Sequence, residues 1–166
     1  WSANTTLTLK AHKSVIINND VIINGDTGGI SINYGLGGDP ASAFQINGGS
    51  GTLTMNGGNN FFAMNGITYA VIDDTTSLRA LSNSPDLNGH YVLAKNINAV
   101  SSATWNGGLG FDPIGDASNP FTGVFEGLNH RITNLTIKRP SEDYVGFFST
   151  TNGAKISGLS LTGSVT

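Results

Sequence analysis

The sequence predicts an all-β protein, and more narrowly a right-handed parallel β-helix with about 23 residues in each coil. Three observations predict it: apolar residues alternate with polar ones, turn residues separate these short runs, and the runs recur at a regular interval. Glycine supplies 23 of the 166 residues, whereas charged residues make up only 11%. That composition excludes a coiled coil or a helical bundle, which would be rich in Ala, Glu, Lys and Leu.

The N-terminal series consists of apolar pairs with one residue between the two members, which is the period of a strand. The pairs recur every 23 residues, as Leu7 and Leu9, Ile30 and Ile32, and Leu53 and Met55. Because stacked coils preserve such an interval, we expect these side chains to form interior columns. Asn24 and Asn47 keep the same interval, and we expect their amides to bond along the axis.

A second series at nearly the same interval occupies the C-terminal part. Its members are Ile132, Leu135 and Ile137, echoed 24 positions later by Ile156, Leu159 and Leu161. The segment 123–125 is likewise echoed by 146–148, 23 positions later. A β-sandwich of hairpins is the alternative architecture, since the frequent Asn-Gly pair is also a hairpin signal. Hairpins have no reason to preserve the interval, so the pattern favours stacked coils.

One segment interrupts the β pattern. Acidic and hydroxyl residues precede Leu78 and Leu81, which have helical spacing, so we expect a short helix near 75–82 capped by Asp74 or Thr75. The chain is accordingly divided into N-terminal coils (1–72), a helical interruption (73–86) and further coils (87–166). We expect the two sets of coils to be consecutive stretches of one rod, cut from a longer chain.

A motif rich in glycine and phenylalanine lies in the C-terminal part. It comprises Gly110, Phe111, Pro113, Ile114, Gly115, Phe121, Gly123, Phe125, Gly127 and Leu128. We interpret it as structural, because stacked aromatic rings can fill an interior and glycines permit corners and close backbone approach. Trp105 precedes it on a glycine-rich segment, where we expect an exposed ring and therefore a candidate glycan contact.

The order of short motifs from Asn88 to Phe148 resembles the GLUG-type repeat region of large bacterial surface exoproteins. The motifs are Asn88-Gly89-His90-Tyr91, Trp105-Asn106-Gly107-Gly108, Gly110-Phe111-Asp112-Pro113-Ile114-Gly115, Phe121-Thr122-Gly123-Val124-Phe125-Glu126-Gly127-Leu128 and Val145-Gly146-Phe147-Phe148. The stretch from Trp1 to Gly35 is similar to the region that precedes such repeats in filamentous-haemagglutinin-like proteins of two-partner secretion.

This resemblance implies a secreted adhesin or biofilm matrix protein, associated with the surface of a Gram-negative bacterium. It also implies an outer-membrane transporter as the partner in export, and a host or matrix glycan or protein as a receptor that the resemblance does not identify. We therefore expect a structural shaft segment without catalysis. The alternatives are a self-assembling extracellular filament subunit, whose copies associate end to end, and a glycan-binding or glycan-cleaving β-helix.

The polar residues indicate no catalytic, metal or cofactor site. Most carboxylates are isolated, whereas glycoside hydrolysis requires a pair across a groove. His12, His90 and His130 lack the spacing of zinc ligands, and the loop from Asp112 to Asp116 lacks the alternating carboxylates of a calcium loop.

Charge and hydropathy limit the partners further. A net charge of −3 with only 8 Lys and Arg residues argues against binding to nucleic acid. No apolar run approaches the length of a membrane-spanning helix, so membrane insertion is not expected. The charged residues between positions 126 and 143 mix both signs, which is typical of a solvated face. Asn4 and Asn134 fit the acceptor pattern for N-linked glycosylation.

Overall fold

The computed structural model describes residues 5–25, 27–39, 41, 43–46, 51–56, 60–83 and 85–166. These residues form mostly strands, with one α-helix and one 3₁₀ segment, which confirms the all-β class. The chain separates into two compact units, Trp1–Val71 (unit 1) and Ile72–Thr166 (unit 2). Asn4 and Asn47, for which the sequence predicts roles, lie outside the described residues.

The described residues of unit 1 form seven short strands and most of an eighth. They are β1 (Thr6–Lys10), β2 (Val15–Ile17), β3 (Val21–Ile23), β4 (Gly29–Asn33), β5 (Phe44–Ile46), β6 (Leu53–Met55), β7 (Phe61–Met64) and β8 (Ile67–Ile72). The pairs β1–β4, β2–β5, β3–β6 and β4–β7 are parallel. Only β7 and β8 form an antiparallel hairpin among the described strands, and its turn is Asn65-Gly66, with both residues at positive φ.

The first predicted register in unit 1 is confirmed, because Leu7 pairs with Ile30 and Leu9 with Ile32. The second is wrong. Ile30 and Ile32 pair with Phe62 and Met64, which lie beyond the positions that the repeat predicts. Leu53 and Met55 belong to a different column, where they pair with Val21 and Ile23.

The reason for the longer second interval is the length of the connections. Four residues join β1 to β2, whereas ten join β4 to β5, and the link from β5 to β6 is also longer than that from β2 to β3. Added length in a surface connection costs little free energy, so it shifts the sequence interval without disturbing the paired strands.

The core of unit 1 is largely aliphatic. Its buried members are Ile23, Ile30, Ile32, Phe44, Ile46, Leu53, Phe62, Ala63 and Met64. Leu7, Leu9 and Met55, which the repeat also assigns to columns, are half-buried. For Leu7 and Leu9 the cause is position: β1 pairs with β4 on one side and, among the described strands, with nothing on the other.

The described part of unit 2 begins with a helix and continues with six short strands. The elements are α1 (Thr75–Asn83), β9 (His90–Leu93), β10 (Ile97–Asn98), a 3₁₀ segment (Val100–Gly108), β11 (Val124–Glu126), β12 (Arg131–Ile137), β13 (Lys155–Ser157) and β14 (Ser160–Val165). Helix α1 confirms the predicted interruption. Asp74 is its cap, since Oδ1 accepts the backbone N–H of Ser77 at 2.7 Å. In return, the hydroxyl of Ser77 accepts the backbone N–H groups of Asp73 and Asp74.

The strands of unit 2 stack in two parallel sets, β9–β11–β13 and β10–β12–β14. One column consists of Tyr91, Phe125 and Ile156, and the other begins with Ile97, Ile132 and Leu161. The sequence interval between paired positions is unequal here too, because the step from 97 to 132 is longer than the step from 132 to 161.

The predicted echo of Ile132 by Ile156 is therefore wrong. Ile132 stacks on Leu161 and not on Ile156, because Gly158, at φ +60°, turns the chain between β13 and β14. The predicted repeat assumed that β13 and β14 are a single strand. The segment 146–148 also does not stack on 123–125: Phe148 forms a parallel pair with Ile114.

The glycine and phenylalanine motif builds the interior of unit 2. Its buried side chains are Phe111, Ile114, Phe121, Phe125 and Leu128. A methyl group on Gly123 would collide with the carbonyl oxygen of Gly89, and one on Gly127 would collide with that of Gly158. These glycines therefore allow two backbone segments that are distant in the sequence to contact each other closely.

Asparagine side chains link segments that are distant in the sequence in both units. Asn56 Nδ2 donates to Asn24 Oδ1 at 2.7 Å, and Asn134 Nδ2 donates to Asn98 Oδ1 at 3.0 Å. An amide link at Asn24 thus exists, but its described partner is Asn56, in keeping with the register of β3 and β6.

The last strands of unit 2 are open to solvent. Ile156 is 43% exposed, Leu161 is 41% exposed and Val165 is 56% exposed, whereas Leu159 packs partly against the core. The assignment of Ile156 and Leu161 to a buried ladder is therefore wrong. Among the described strands, β13 and β14 each have a neighbour on one side only, so the outer half of each column is uncovered.

Candidate functional site

A concavity in unit 2 has a volume of about 480 Å³. We call it the acidic groove, because four carboxylates line it together with hydroxyl and amide groups. The carboxylates are those of Asp112, Asp116, Glu142 and Asp143. They come from two segments that the sequence separates, the motif loop after Gly110 and the chain that follows β12.

The end of helix α1 fixes one wall of the groove. Ser82 is buried near the C-terminus of α1, and its hydroxyl accepts the backbone N–H of Asp112 at 2.6 Å. The hydrogen bond ties the motif loop to the helix. The interruption predicted at 73–86 therefore contributes a structural side chain to the groove.

Arg139 joins the two acidic segments. Its guanidinium lies 2.9 Å from Asp112 Oδ1 and 2.9 Å from Glu142 Oε1, and the side chain is only 9% exposed. Both carboxylates are about half exposed, so water also solvates them. The interpretation of this charged stretch as a uniformly solvated face is wrong at Arg139, because a buried cation depends on its partner carboxylates.

Asp116 has a structural role at the rim. Its Oδ1 accepts the backbone N–H groups of Ser118 at 2.7 Å and Asn119 at 2.8 Å, closing a turn. These hydrogen bonds, the one from Asn119 above all, hold the pKa of the fully exposed Asp116 carboxyl below its ordinary value. Asp116 therefore stays ionised at neutral pH and shapes the loop.

Tyr144 gives the groove an exposed aromatic ring. The residue is 70% exposed and has a positive φ of 58°. Neither this ring nor this groove is predicted from the sequence. The only available signal was the cluster of acidic residues at 142–143 beside Tyr144, and nothing in the sequence connected that cluster with Asp112 or Asp116.

Trp105 does not offer a surface for sugars. Its side chain is only 5% exposed and packs in the core of unit 2, and the guanidinium of Arg79 lies 5.9 Å from the ring centroid. The expectation of an exposed ring is wrong because the glycine-rich segment turns sharply after Trp105, at Asn106 and Gly107, and leaves the ring inside.

Of the two predicted N-glycosylation sites, only Asn134 lies among the described residues. Asn4 lies outside the described residues. Asn134 is exposed at an irregularity of β12, between Ile132 and Leu135, with φ at +56°, and its amide is bonded to Asn98. Modification of either residue stays a prediction.

The described residues contain no cluster of three or more His, Cys, Asp or Glu side chains arranged to hold a metal ion. Within the same residues, no helix has the length and apolar character needed to cross a bilayer. The acidic groove can thus contribute hydrogen-bond acceptors, negative charge and one aromatic face.

Two relatives share part of this chain. Halomucin of Haloquadratum walsbyi is 37% identical over 83 residues, which cover 48% of this chain and 1% of that protein. A putative Gly-rich membrane protein of Evansella cellulosilytica is 38% identical over 76 residues, which cover 45% of this chain and 9% of that protein. The chain thus spans a small part of the length of the relatives it matches. No protein-family model and no solved structure matches.

Proposed function

We propose that this chain is a structural shaft segment of a large extracellular surface protein and performs no catalysis. The observation that carries the proposal is the parallel register within each unit, where strands from successive stretches stack and keep apolar side chains inside. Stacked coils provide length and stiffness from a chain that has few charges and no disulfide. Such a segment separates a binding region from the cell surface.

The architecture we propose for both units is a right-handed parallel β-helix. Column formation by Leu7, Ile30 and Phe62 supports it in unit 1, and column formation by Tyr91 and Phe125 supports it in unit 2. Amide pairs between residues that are distant in the sequence add support, because one such pair occurs in each unit. Coils of unequal length are compatible with this architecture, since added residues lie in the corners.

The proposed location is the extracellular surface, and the proposed export route is two-partner secretion through an outer-membrane transporter in a Gram-negative bacterium. The names of the two relatives, Halomucin and a Gly-rich membrane protein, are compatible with a surface location, and both relatives are far longer than this chain. The route and the role in adhesion rest on the resemblance to filamentous-haemagglutinin-like proteins.

Engineered disulfides test the architecture, because the chain contains no cysteine of its own. Thr8 lies opposite Ser31 in the register of β1 and β4, so a Thr8→Cys, Ser31→Cys pair is expected to cross-link on oxidation. The matched control is Ser31→Cys with Thr54→Cys, which coils of strictly equal length would place together. Efficient linkage of the control, or none in the first pair, contradicts the proposed coils.

A spacer assay tests the function. The chain is inserted once, twice and three times between a surface anchor and a binding domain of known specificity, and the reach of that domain is measured against flexible Gly/Ser linkers of equal residue number. We expect reach to grow in equal steps with copy number. Beads coated with the chain alone are expected to bind no glycan; glycan capture or release of reducing ends from polysaccharides would refute the shaft proposal.

A second candidate function is glycan binding in the acidic groove. Its volume falls within the range of small-molecule sites, and Tyr144 gives it an exposed aromatic face beside hydrogen-bonding groups. A glycan array with the purified chain tests it. Binding that is lost in Tyr144→Ala but kept in Tyr69→Ala, a tyrosine of unit 1, would support this candidate over the shaft.

A further inference from the structure

Arg139 connects two segments of unit 2 that are distant in the sequence. Its Nη2 lies 2.9 Å from Asp112 Oδ1, and its Nη1 donates to both carboxylate oxygens of Glu142, at 2.9 and 3.2 Å. We call these three side chains the arginine clasp. The clasp joins the motif loop after Gly110 to the segment that follows β12, and both segments line the acidic groove.

The motif loop is also held by bonds outside the clasp. The backbone N–H of Asp112 donates to the buried hydroxyl of Ser82 at 2.6 Å, and Ile114 forms a parallel pair with Phe148. These contacts do not involve a carboxylate. The motif loop therefore has restraints that do not depend on the arginine clasp.

The other segment, residues 140–144, has few restraints of its own, and we call it the Tyr144 segment. Among its described residues, one backbone N–H has a backbone partner, that of Glu142, which donates to the carbonyl of Arg139 at 3.1 Å. Its residues from 140 to 144 are exposed, and only the following residue, Val145, packs partly against the core. Segments with few hydrogen bonds and exposed side chains open at a low cost in free energy. The clasp is thus the main restraint on the Tyr144 segment.

The charge in the clasp is balanced by two carboxylates. Arg139 is only 9% exposed, and its Nε is buried with no hydrogen-bond partner among the described residues. A guanidinium stays protonated in proteins, so its charge cannot be removed by a change of pH. Within 4.0 Å of it, Asp112 and Glu142 carry the negative charges that the described residues provide.

The neighbouring charged groups do not replace these two partners. Lys138 and Asp143, which flank the clasp in the sequence, are exposed and form no ion pair among the described residues. Asp116 accepts hydrogen bonds within its own turn. The carbonyl oxygen of Thr166 accepts the backbone N–H of Arg139 and so does not pair with the guanidinium.

We propose that the arginine clasp is an acid-sensitive restraint that positions the Tyr144 segment and thereby controls access to the acidic groove. Protonation of Asp112 or Glu142 removes a negative charge from a buried cation, which is then stabilised by moving into water. The restraint is therefore present at neutral pH and is lost as pH falls through the range in which carboxyl groups protonate. The inference depends neither on the shaft nor on glycan binding.

Two spin labels across the groove test the clasp, because the chain contains no cysteine of its own. Asn83→Cys and Tyr144→Cys place labels at two exposed positions that line the groove. Electron paramagnetic resonance is expected to give one narrow distance distribution at neutral pH. A longer, broad component is expected to grow at about pH 4, where model carboxyl groups are half protonated. We expect the ratio of released to held segment to rise about tenfold, the effect of losing one hydrogen bond to a charged group.

Uncharged isosteres in the labelled chain separate the clasp from a general effect of acid. Glu142→Gln and Asp112→Asn each remove one charge at constant size, and each is expected to show the broad component already at neutral pH. Asp143→Asn is the matched control, since this carboxylate is next to Glu142 but outside the clasp. It is expected to keep the narrow distribution at neutral pH and to release the segment in acid.

Three results would overturn the inference: a narrow distribution at neutral pH in both isosteres, release by Asp143→Asn to the same extent as by Glu142→Gln, or release only at a pH where circular dichroism shows that the strands unfold. The proposed function fails separately, because it depends on the cross-linking of Thr8 with Ser31 in unit 1. A chain that cross-links there but keeps its groove distance in acid retains the shaft and loses the clasp.

Discussion

The two units use the same parallel stacking with different interiors. Unit 1 has a largely aliphatic core, and its stacked strands β1, β4 and β7 recur at unequal sequence intervals. Unit 2 has an aromatic core in which Phe125 stands near Tyr91, Phe147 and Phe148, with ring centroids 5.7 to 6.4 Å apart. The comparison shows that the lengths of the connections and the chemistry of the core differ from place to place, whereas the parallel pairing of strands is common to both units.

The largest expected effect is on the free energy of unfolding, and it distinguishes the cores of the two units. Phe125→Ala removes the central ring of the aromatic cluster and is expected to lower the free energy of unfolding by about 4 kcal/mol. Ile30→Ala, at the middle of the corresponding column in unit 1, is expected to cost about 3 kcal/mol. Urea unfolding followed by circular dichroism measures both. Small and equal losses of unfolding free energy in the two variants would mean that neither column is central to the core of its unit.

Close backbone approach in unit 2 provides the next test. Gly123→Ala places a methyl group against the carbonyl oxygen of Gly89 and is expected to cost about 3 kcal/mol, as overpacking does. The control is Gly153→Ala, where the methyl group meets nothing within 4 Å and only the positive φ is penalised, by about 1 kcal/mol. If both variants unfold at the same urea concentration, the backbone contact at Gly123 is not tight.

The ion pairs of the two units differ in how deeply their basic side chains are buried. Arg139→Gln removes a buried guanidinium from Asp112 and Glu142 and is expected to cost about 2 kcal/mol, because two carboxylates lose their partner. Lys13→Gln removes an exposed partner of Asp39 at 3.9 Å and is expected to change stability by less than about 0.5 kcal/mol. Thermal unfolding at low and high salt distinguishes them, and a large salt-sensitive loss for Lys13→Gln would contradict the assignment.

The smallest effect concerns the cap of helix α1. Asp74→Ala is expected to cost about 1 kcal/mol at neutral pH. The backbone N–H of Ser77 holds the pKa of Asp74 below its ordinary value, so the stabilisation is present above that ordinary value and is lost as pH falls through the folded-state pKa.

Stability measured from pH 7 downwards therefore shows the Asp74→Ala difference shrinking in acid. Asp74→Asn keeps a capping oxygen but does not titrate, so its difference from Asp74→Ala is expected to persist in acid. A constant deficit of Asp74→Ala at every pH would mean that the cap does not act through the ionised carboxylate.

Local sequence patterns predicted which helix and strands form better than they predicted which strands pair with one another. The helix and its Asp74 cap follow from neighbouring residues, and the pairing of Leu7 with Ile30 follows from an interval that short corners leave intact. The pairings of Leu53 and Ile156 did not follow from the sequence, because both depend on where the chain turns. The acidic groove could not be predicted from the sequence either, because Asp112 and Glu142 are distant in the sequence and both contact Arg139 only in the folded chain.

The sequence by itself determined the all-β class, the short helix and the glycine and phenylalanine interior, because alternation, capping and steric freedom act over a few residues. Only the tertiary structure decided which strands pair, the burial of Trp105 and Arg139, and the exposure of Ile156 and Leu161. These depend on which strands become neighbours. A surface connection can gain residues at little cost in free energy. The number of residues between two strands therefore does not specify whether the strands pair.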